Sequence, residues 1–447
     1  MDTPLTTPPL TPAAVPSGRP RIVIVGGGAG GLSLATQLGN KLGKKGLAEI
    51  TLVDAARTHV WKPLLHQLAA GSFDTHAEEI EYLAQARWNH FKFRLGHLTA
   101  VDRHTKTLQL AASHDAAGRE ITPAQALGYD TLVIAVGSQT NDFGTPGAAQ
   151  HTIKLDSPAA AKHFNEQLIN ACIRAQSVPR TAGSGRLTVT IVGGGATGVE
   201  LAAELHAAAR VLGNYGFDHI DPEKDLQIVL VEAGPRLLAQ LPERLGLAAE
   251  RELRKLAVEV HTNEKVVEVT ATGLNMASGK FISSALTVWA AGVKAPDFLK
   301  GIGADALGAG ALDVNRLNQL MVNGNLQSTL DASIYAFGDC AACPHAWRHL
   351  GAAKGPGGLP AGHVPRQGAA QADGGQTGAI LCVQRPGLTG VAGQLFLCRQ
   401  PDGQFEPGQL FCGRSAGQGH VLGAAQTAPA GAGRYPQNSA DHPVGND

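Results

Sequence analysis

The chain has 447 residues with 37 basic and 37 acidic side chains, so no net field draws it to nucleic acid, and it exceeds the roughly 250–300 residues at which a single core stops growing. The sequence contains no run of about 18 apolar residues, which excludes an ordinary spanning helix but not a helix lying on a bilayer. Six cysteines in a chain this long make no disulfide framework and are expected to be reduced thiols.

Residues 1–19 are rich in proline and threonine and lack a basic start and an apolar core. They are expected to be a disordered tail rather than an export signal, which points to the cytoplasm. Arg21–Val25 is a β-branched strand, followed by the glycine run from Gly26 to Gly31 and a helix through Leu38. "ITLVD", Ile50 to Asp54, is the next strand, so the order is strand, glycine turn, helix, strand. "TLVIAVG" after Asp130 predicts another strand through Ala135, ending at Gly137. Residues 175–186 are polar with Gly and Pro, as a surface connection would be. A second glycine unit opens at Leu187, and its paired strand "LQIVLVE" ends at Glu232. "ALTVWAAG" ends at Gly292 and "SIYAFGD" at Asp339. The two glycine units are too far apart for a solenoid repeat and predict two separate domains. From about His345 onward the chain has one lysine, Lys354, and one glutamate, Glu406, among many Gly, Gln and Pro. With no sustained period of 2 or 3.6, most of it is expected to be poorly ordered.

Each glycine of a dinucleotide site has its own steric reason. The first, Gly26, permits the tight turn; the second, Gly28, lets a pyrophosphate approach the backbone; the third, Gly31, lets helix and strand pack closely. The helix that follows directs free N–H groups and a positive dipole end at the phosphates. Asp54, ending the second strand, stands where ribose hydroxyls are received. Gly193, Gly195 and Gly198 repeat the pattern with Glu232 as the terminal acid. A carboxylate there repels a 2′-phosphate, so NAD is favoured over NADP. Two such cradles suggest one dinucleotide held as a prosthetic group and another that visits as substrate.

The order of both glycine loops with "TLVIAVGS", "VWAAGV" and "IYAFGDCAACP" resembles the two-dinucleotide flavoprotein superfamily. "HVWKPLLHQLAAGSFD", His59 to Asp74, is similar to the flavin-side segment of its type II NADH:quinone oxidoreductase branch. The resemblance covers residues 20–345. It implies an α/β fold of two Rossmann-like domains: a discontinuous FAD domain, 20–155 and 296–345, with an NADH domain, 156–295, inserted into it, and an irregular tail over 346–447. FAD would lie on Gly26, Gly28, Gly30 and Gly31 with its ribose on Asp54. Pro63, Leu64 and Leu65 would pack beside its ring, and Asp339 would hold the ribityl or pyrophosphate portion. Ala135, Gly137, Gly292 and Gly338 complete the implied cofactor contacts. NADH would take Gly193 to Gly198 and Glu232, with Glu200 near the nicotinamide.

The implied reaction is hydride transfer from NADH to the flavin, then two-electron reduction of a membrane quinone beside Trp61 to Gln67. In this chemistry the protein supplies orientation and exclusion of water. Water, His66 or Lys62 would provide protons. Against these roles stand plainer ones: a packed His66, a packing Trp61, and Glu200 as an acid favoured near a helix N-terminus. Cys340 and Cys343 form a CxxC read as structural, since no second CxxC completes a metal site, and no metal is expected. Disulfide reductases of the superfamily it resembles carry their cysteines soon after the first domain's second strand, where this chain has Arg57 to His66 and no cysteine, so the resemblance implies no disulfide substrate. The competing readings are a sulfide:quinone-type oxidoreductase using Cys172 and Cys343, and a non-catalytic FAD- and NADH-binding redox sensor. A homodimer is left open.

Members of this branch end in amphipathic helices that attach them peripherally to the membrane, here its inner face. The sequence after Pro344 has no such pattern. "HVLGAAQTAP" from His420 is compatible with nucleotides that, read one base later, spell a basic amphipathic segment. A change of reading frame around 345–365 is therefore expected, with activity impaired by the altered terminus.

Overall fold

The computed structural model describes residues 18–74, 79–115, 117–177, 187–213, 221, 225–304 and 310–343, together with strands at 380–384 and 394–398. The N-terminal tail through 17, residues 178–186 of the polar connection, and the 345–365 segment lie outside the described residues.

The first domain begins as its run of β-branched residues requires. Strand β1 (Arg21–Val25) leads through the glycine turn into α1 (Ala29–Leu38) and back to β2 (Glu49–Asp54). Helices α2 (Leu65–Ala70) and α3 (Tyr82–Trp88) precede β3 (Lys92–Leu95), and β4 (Thr131–Ile134) follows. The crossing to the second domain contains β5 (Gln139–Thr140), and that domain opens with β6 (Ile153–Lys154) and α4 (Pro158–Gln176). Its glycine unit consists of β7 (Leu187–Val192), α5 (Ala196–Gly213) and β8 (Leu226–Val231). The strands β9 (Glu259–His261), β10 (Leu286–Trp289) and β11 (Val293–Lys294) complete it, and β12 (Ile334–Ala336) returns the chain to the first domain.

The first sheet runs β12-β4-β1-β2-β3 and the second β6-β10-β7-β8-β9. All neighbours are parallel, with Ile24 opposite both Val133 and Leu52, and Ile191 opposite both Leu230 and Val288. Parallel sheets are covered on both faces and so read as continuous apolar runs; Leu132, Val133 and Ile134 are wholly buried. Strand β12 pairs with β4, Leu132 opposite Ile334, so the second domain is inserted between parts of the first. Each domain adds a three-stranded antiparallel sheet, one containing Thr107–Leu110 and the other Gly273–Met276.

Four features differ from the sequence reading. Ile153–Lys154 pairs with β10, Ile153 opposite Val288, so the second domain has begun by residue 153 rather than at 156. Within the span assigned to the FAD domain, α2 docks elsewhere: Val60, Leu65, Leu68, Ala69, Ala70 and Phe73 belong to the second domain's core with Leu201 and Leu205 of α5. The apolar face of "LLHQLAA" is too short to bury itself and finds the matching faces of α4 and α5. The strands predicted to reach Gly137, Gly292 and Asp339 stop at Ile134, Trp289 and Ala336, and the glycines that follow, Gly137, Gly292 and Gly338, take positive φ and turn the chain out of the sheet. Within the tail called irregular, Ile380–Gln384 pairs antiparallel with Gln394–Cys398, two short runs rich in β-formers. Among the described residues no helix is long and apolar enough to cross a membrane.

Candidate functional site: two matched dinucleotide cradles

The two glycine loops have the same construction. Gly26 and Gly193 adopt φ of +104° and +115°, a region that only glycine enters freely. Their N–H groups donate to Val53 O and Val231 O, both at 2.8 Å. A Cβ on Gly31 would overlap the Gly26 carbonyl oxygen, and one on Gly198 the Gly193 carbonyl, which is the close helix–strand packing expected of a third glycine. A Cβ on Gly28 or Gly195 would meet nothing within 4 Å. The middle glycines therefore leave clear space beside the loop, and no side chain caps α1 where its N–H groups emerge. A pyrophosphate fits there by backbone contact and helix dipole.

The terminal acids are held alike. Asp54 accepts from Gly27 N at 2.6 Å and Ala56 N at 2.7 Å; Glu232 accepts from Gly194 N at 2.6 Å and Gly234 N at 2.7 Å. A carboxylate has about four acceptor positions, so each retains capacity for ribose hydroxyls while bracing its loop. Burial raises the Asp54 pKa, opposed by N–H donors from Ala56 and Gly27 and by the nearby His59. Burial also lowers the His59 pKa, so that the neutral ring is favoured.

Tyr82, which the sequence reading missed, braces the first loop from behind. Its hydroxyl donates to Gly27 O at 2.7 Å, and its ring stacks on Phe93 at a centroid distance of 5.1 Å. Burial raises its pKa, keeping the phenol a donor. A Cβ on Gly27 would overlap this ring and hydroxyl. No spacing rule connects residue 82 to residue 27.

At the carboxyl ends of β4 and β12 a polar group forms. Ser138 Oγ donates to Asp339 Oδ2 at 2.9 Å, Gln319 Nε2 donates to Asp339 O at 2.9 Å, and Lys62 Nζ donates to Ser138 O at 2.5 Å. Gly338 and Asp339 are exposed. Gln319 carried no signal in the sequence, and Ser138 stood there only as the last residue of "TLVIAVGS". Gly30 lies under the Phe337 ring, Ala135 is buried against Gly31, and Gly292 lies against Phe143. Of the segment given to the flavin ring, Pro63 is exposed and Leu64 half-buried, but Leu65 is buried in the second domain's core.

The proposed proton donors separate. Lys62 turns toward Ser138, whereas His66 is buried and its Nδ1 lies 3.5 Å from Glu200 Oε2. Ser72 Oγ adds a second link to the same helix, 3.1 Å from Glu204 Oε2. His66 is thus packed, as its plainer reading had it, and also paired with Glu200.

Two of the three cysteines among the fully described residues, Cys172 and Cys340, are buried, and Cys343 is exposed. Cys340 is wholly buried, its thiol donating to Phe337 O at 3.2 Å, and burial pushes its pKa up to about 11. Cys172 is wholly buried in α4 and its pKa is raised by burial. A thiol is nucleophilic only as thiolate, so Cys172 is a poor redox partner and the sulfide:quinone reading loses one of its two residues. Among the described residues no group of three His, Cys, Asp or Glu could hold a metal ion.

Comparison with known proteins agrees with this geometry. The pyridine nucleotide-disulphide oxidoreductase family matches residues 20–367. A type II NADH:quinone oxidoreductase of Haemophilus influenzae is 41% identical over 333 residues, 72% of this chain and 73% of that protein. A Mycobacterium tuberculosis protein described as type II NADH:quinone oxidoreductase NdhA is 31% identical, covering 74% of this chain and 68% of its own length. Among solved structures, NDH2 from Plasmodium falciparum in complex with NADH superposes with a TM-score of 0.61 at 22% identity, over 73% of this chain and 65% of that one. At that identity the likeness speaks for the fold alone.

Proposed function

Since the chain belongs to the pyridine nucleotide-disulphide oxidoreductase family, and within it to the type II NADH:quinone oxidoreductases, we propose that its two cradles divide the labour of that activity, the first holding FAD and the second receiving NADH. The protein is an FAD-dependent enzyme that oxidises NADH and reduces a quinone. The observation that carries the pair of cradles is the repeated brace, an acid at the end of a second strand accepting the N–H of its own glycine loop at 2.6 Å in both domains; the Ser138–Asp339 group at the carboxyl ends of β4 and β12 supports giving FAD to the first.

Bound FAD supplies the relay that accepts a hydride from NADH and passes the electron pair to the quinone. The protein's residues bind, orient and exclude water. Gly26 to Gly31 would carry the flavin's pyrophosphate on backbone N–H groups, and Asp54 its ribose. Asp339, oriented by Ser138, would accept from hydroxyls farther along, and Lys62 would close the crevice from the other side. Gly193 to Gly198 and Glu232 would do the same for NADH, with the Glu232 carboxylate disfavouring a 2′-phosphate. Glu200, 3.5 Å from His66, would stand at the nicotinamide end, and the pair would be the side chains nearest to any proton moved there. Exposed Pro63 and the half-buried Leu64 would border the quinone's approach. Because a quinone dissolves in lipid, the protein would act in peripheral contact with the membrane, on its inner face.

The test is a visible spectrum of the purified protein before and after anaerobic NADH, followed by a soluble quinone. Flavin absorbance that bleaches with NADH and returns with quinone is expected. A protein that binds no flavin after reconstitution, or a flavin that NADH leaves oxidised, refutes the division of cradles. A flavin that bleaches but passes electrons to no quinone or dye indicates the sensor reading instead.

A further inference from the structure

Phe143 has a left-handed backbone, φ +55°, which a bulky residue adopts only where its surroundings impose it. Here they do. The Phe143 N–H donates to Asn141 Oδ1 and the Gly144 N–H to Asp142 Oδ1, each at 3.0 Å, and Asp142 is held in turn by Lys154 at 2.7 Å. The turn is tied to the loop that follows β10. Trp289 Nε1 donates to Asn141 O at 3.0 Å and lies 3.2 Å from Ala291 O, while the Asn141 N–H donates to Gly292 O at 3.3 Å. Thr140 and Val293 are paired in the β5–β11 ladder.

The side chain fixed at this cost is not buried. Phe143 is 67% exposed and Val293 61%. Strain spent on presenting an aromatic ring to solvent calls for a ligand, because core packing does not account for it. The ring's place indicates which ligand. It lies against Gly292, and the Ala290–Gly292 loop also touches the second cradle, since a Cβ on Gly193 would meet the backbone of Ala290 and Ala291. With the adenosine ribose at Glu232 just past β8 and the pyrophosphate above the loop after β7, the other half of a dinucleotide extends over β10, on the opposite side.

We propose that Phe143, with Val293, forms the apolar lip of the second cradle and packs against the nicotinamide half of NADH, shielding it from water and fixing its approach. This rests on the assignment of the second cradle to NADH. Phe143 is a positioning residue and takes no part in proton or electron movement.

The test uses the flavin-loaded full chain with Phe143→Gly, Phe143→Ala and Phe143→Trp, and Glu232→Ala as reference. Glycine accepts φ +55° without strain, so Phe143→Gly should unfold at the same temperature as the parent or higher. The dissociation constant for NAD⁺, by titration calorimetry, and the KM for NADH should nevertheless rise roughly tenfold in the Gly and Ala variants, the scale of losing one aromatic stacking contact. Phe143→Trp should restore both, with flavin content and quinone KM unchanged throughout. Unchanged NAD⁺ binding in the Gly and Ala variants, or a lowered unfolding temperature in Phe143→Gly with normal binding, overturns the proposal. If Glu232→Ala still weakens NAD⁺ binding in that case, the cradle assignment survives and only the lip fails. If neither site affects NAD⁺, the assignment itself has failed.

Discussion

Nδ1 of His66 lies 3.5 Å from Oε2 of Glu200, and the contact joins a segment of the first domain's sequence to the helix leaving the second glycine loop. The imidazole is buried while the carboxylate is half-exposed, so the histidine is enclosed by its neighbours and the glutamate is open to solvent. The two residues should be energetically coupled in NADH use. A double-mutant cycle of His66→Ala and Glu200→Gln, read in kcat/KM for NADH, is expected to give an interaction of roughly 0.5–1 kcal/mol. Additive effects would reduce the contact to simple packing.

Glu232 accepts two backbone N–H groups, from Gly194 and Gly234. Glutamine in its place would turn one NH₂ donor toward one of those donors. Losing a charged acceptor costs about 1.5–3 kcal/mol, so Glu232→Gln should raise the KM for NADH by about ten- to a hundredfold. Removal of the negative charge should also lower the preference for NADH over NADPH. The check is kcat/KM measured with both nucleotides; an unchanged preference would show that the carboxylate does not set it.

His59 gives the protein a pH dependence of known sign. Burial lowers its pKa from the ordinary 6.5, so the unfolded chain takes up its proton before the folded one. The stability it contributes is therefore present above pH 6.5 and is lost as pH falls through the folded value. Asp54 works the other way: its raised pKa favours the fold at low pH, and that contribution fades as pH rises through the folded value. Between about pH 7.5 and pH 5.5 the histidine term should lower the melting temperature. His59→Gln should flatten that decline when the two are compared by thermal unfolding. An identical slope would remove His59 as its source.

The parts of this site legible in the sequence are those set by local sterics. Gly26, Gly31, Gly193 and Gly198 are required by the few residues around them, and Asp54 and Glu232 follow because a strand end fixes where an acid stands. What could not be read depends on contacts between distant segments. Leu65 was implied beside the flavin ring, but α2 is drawn into the second domain's core, where its short apolar face finds a partner. Ser138 and Gln319 join Asp339 only because β12 returns to pair with β4. Ile153 belongs to the second sheet through a two-residue pairing with β10, too short to leave a periodic signal.

Tyr82 tests whether the first loop's rear support matters to its front. Its hydroxyl meets the Gly27 carbonyl at 2.7 Å in a buried setting, and Tyr82→Phe would leave that carbonyl short of a partner at little change in shape. A cost of about 1 kcal/mol is expected, or roughly 2–4 °C in melting temperature for a domain of this size, together with weaker FAD retention. Gly27→Ala should be more damaging, because its methyl would occupy the space of the tyrosine ring and overpacking costs about 1–3 kcal/mol. The Gly27 N–H to Asp54 would shift with it, so flavin should be lost even where the chain still folds. The measurements are melting temperature and FAD dissociation for both variants. A Gly27→Ala protein that holds FAD as firmly as the parent would show that the loop is shaped from the ligand side alone.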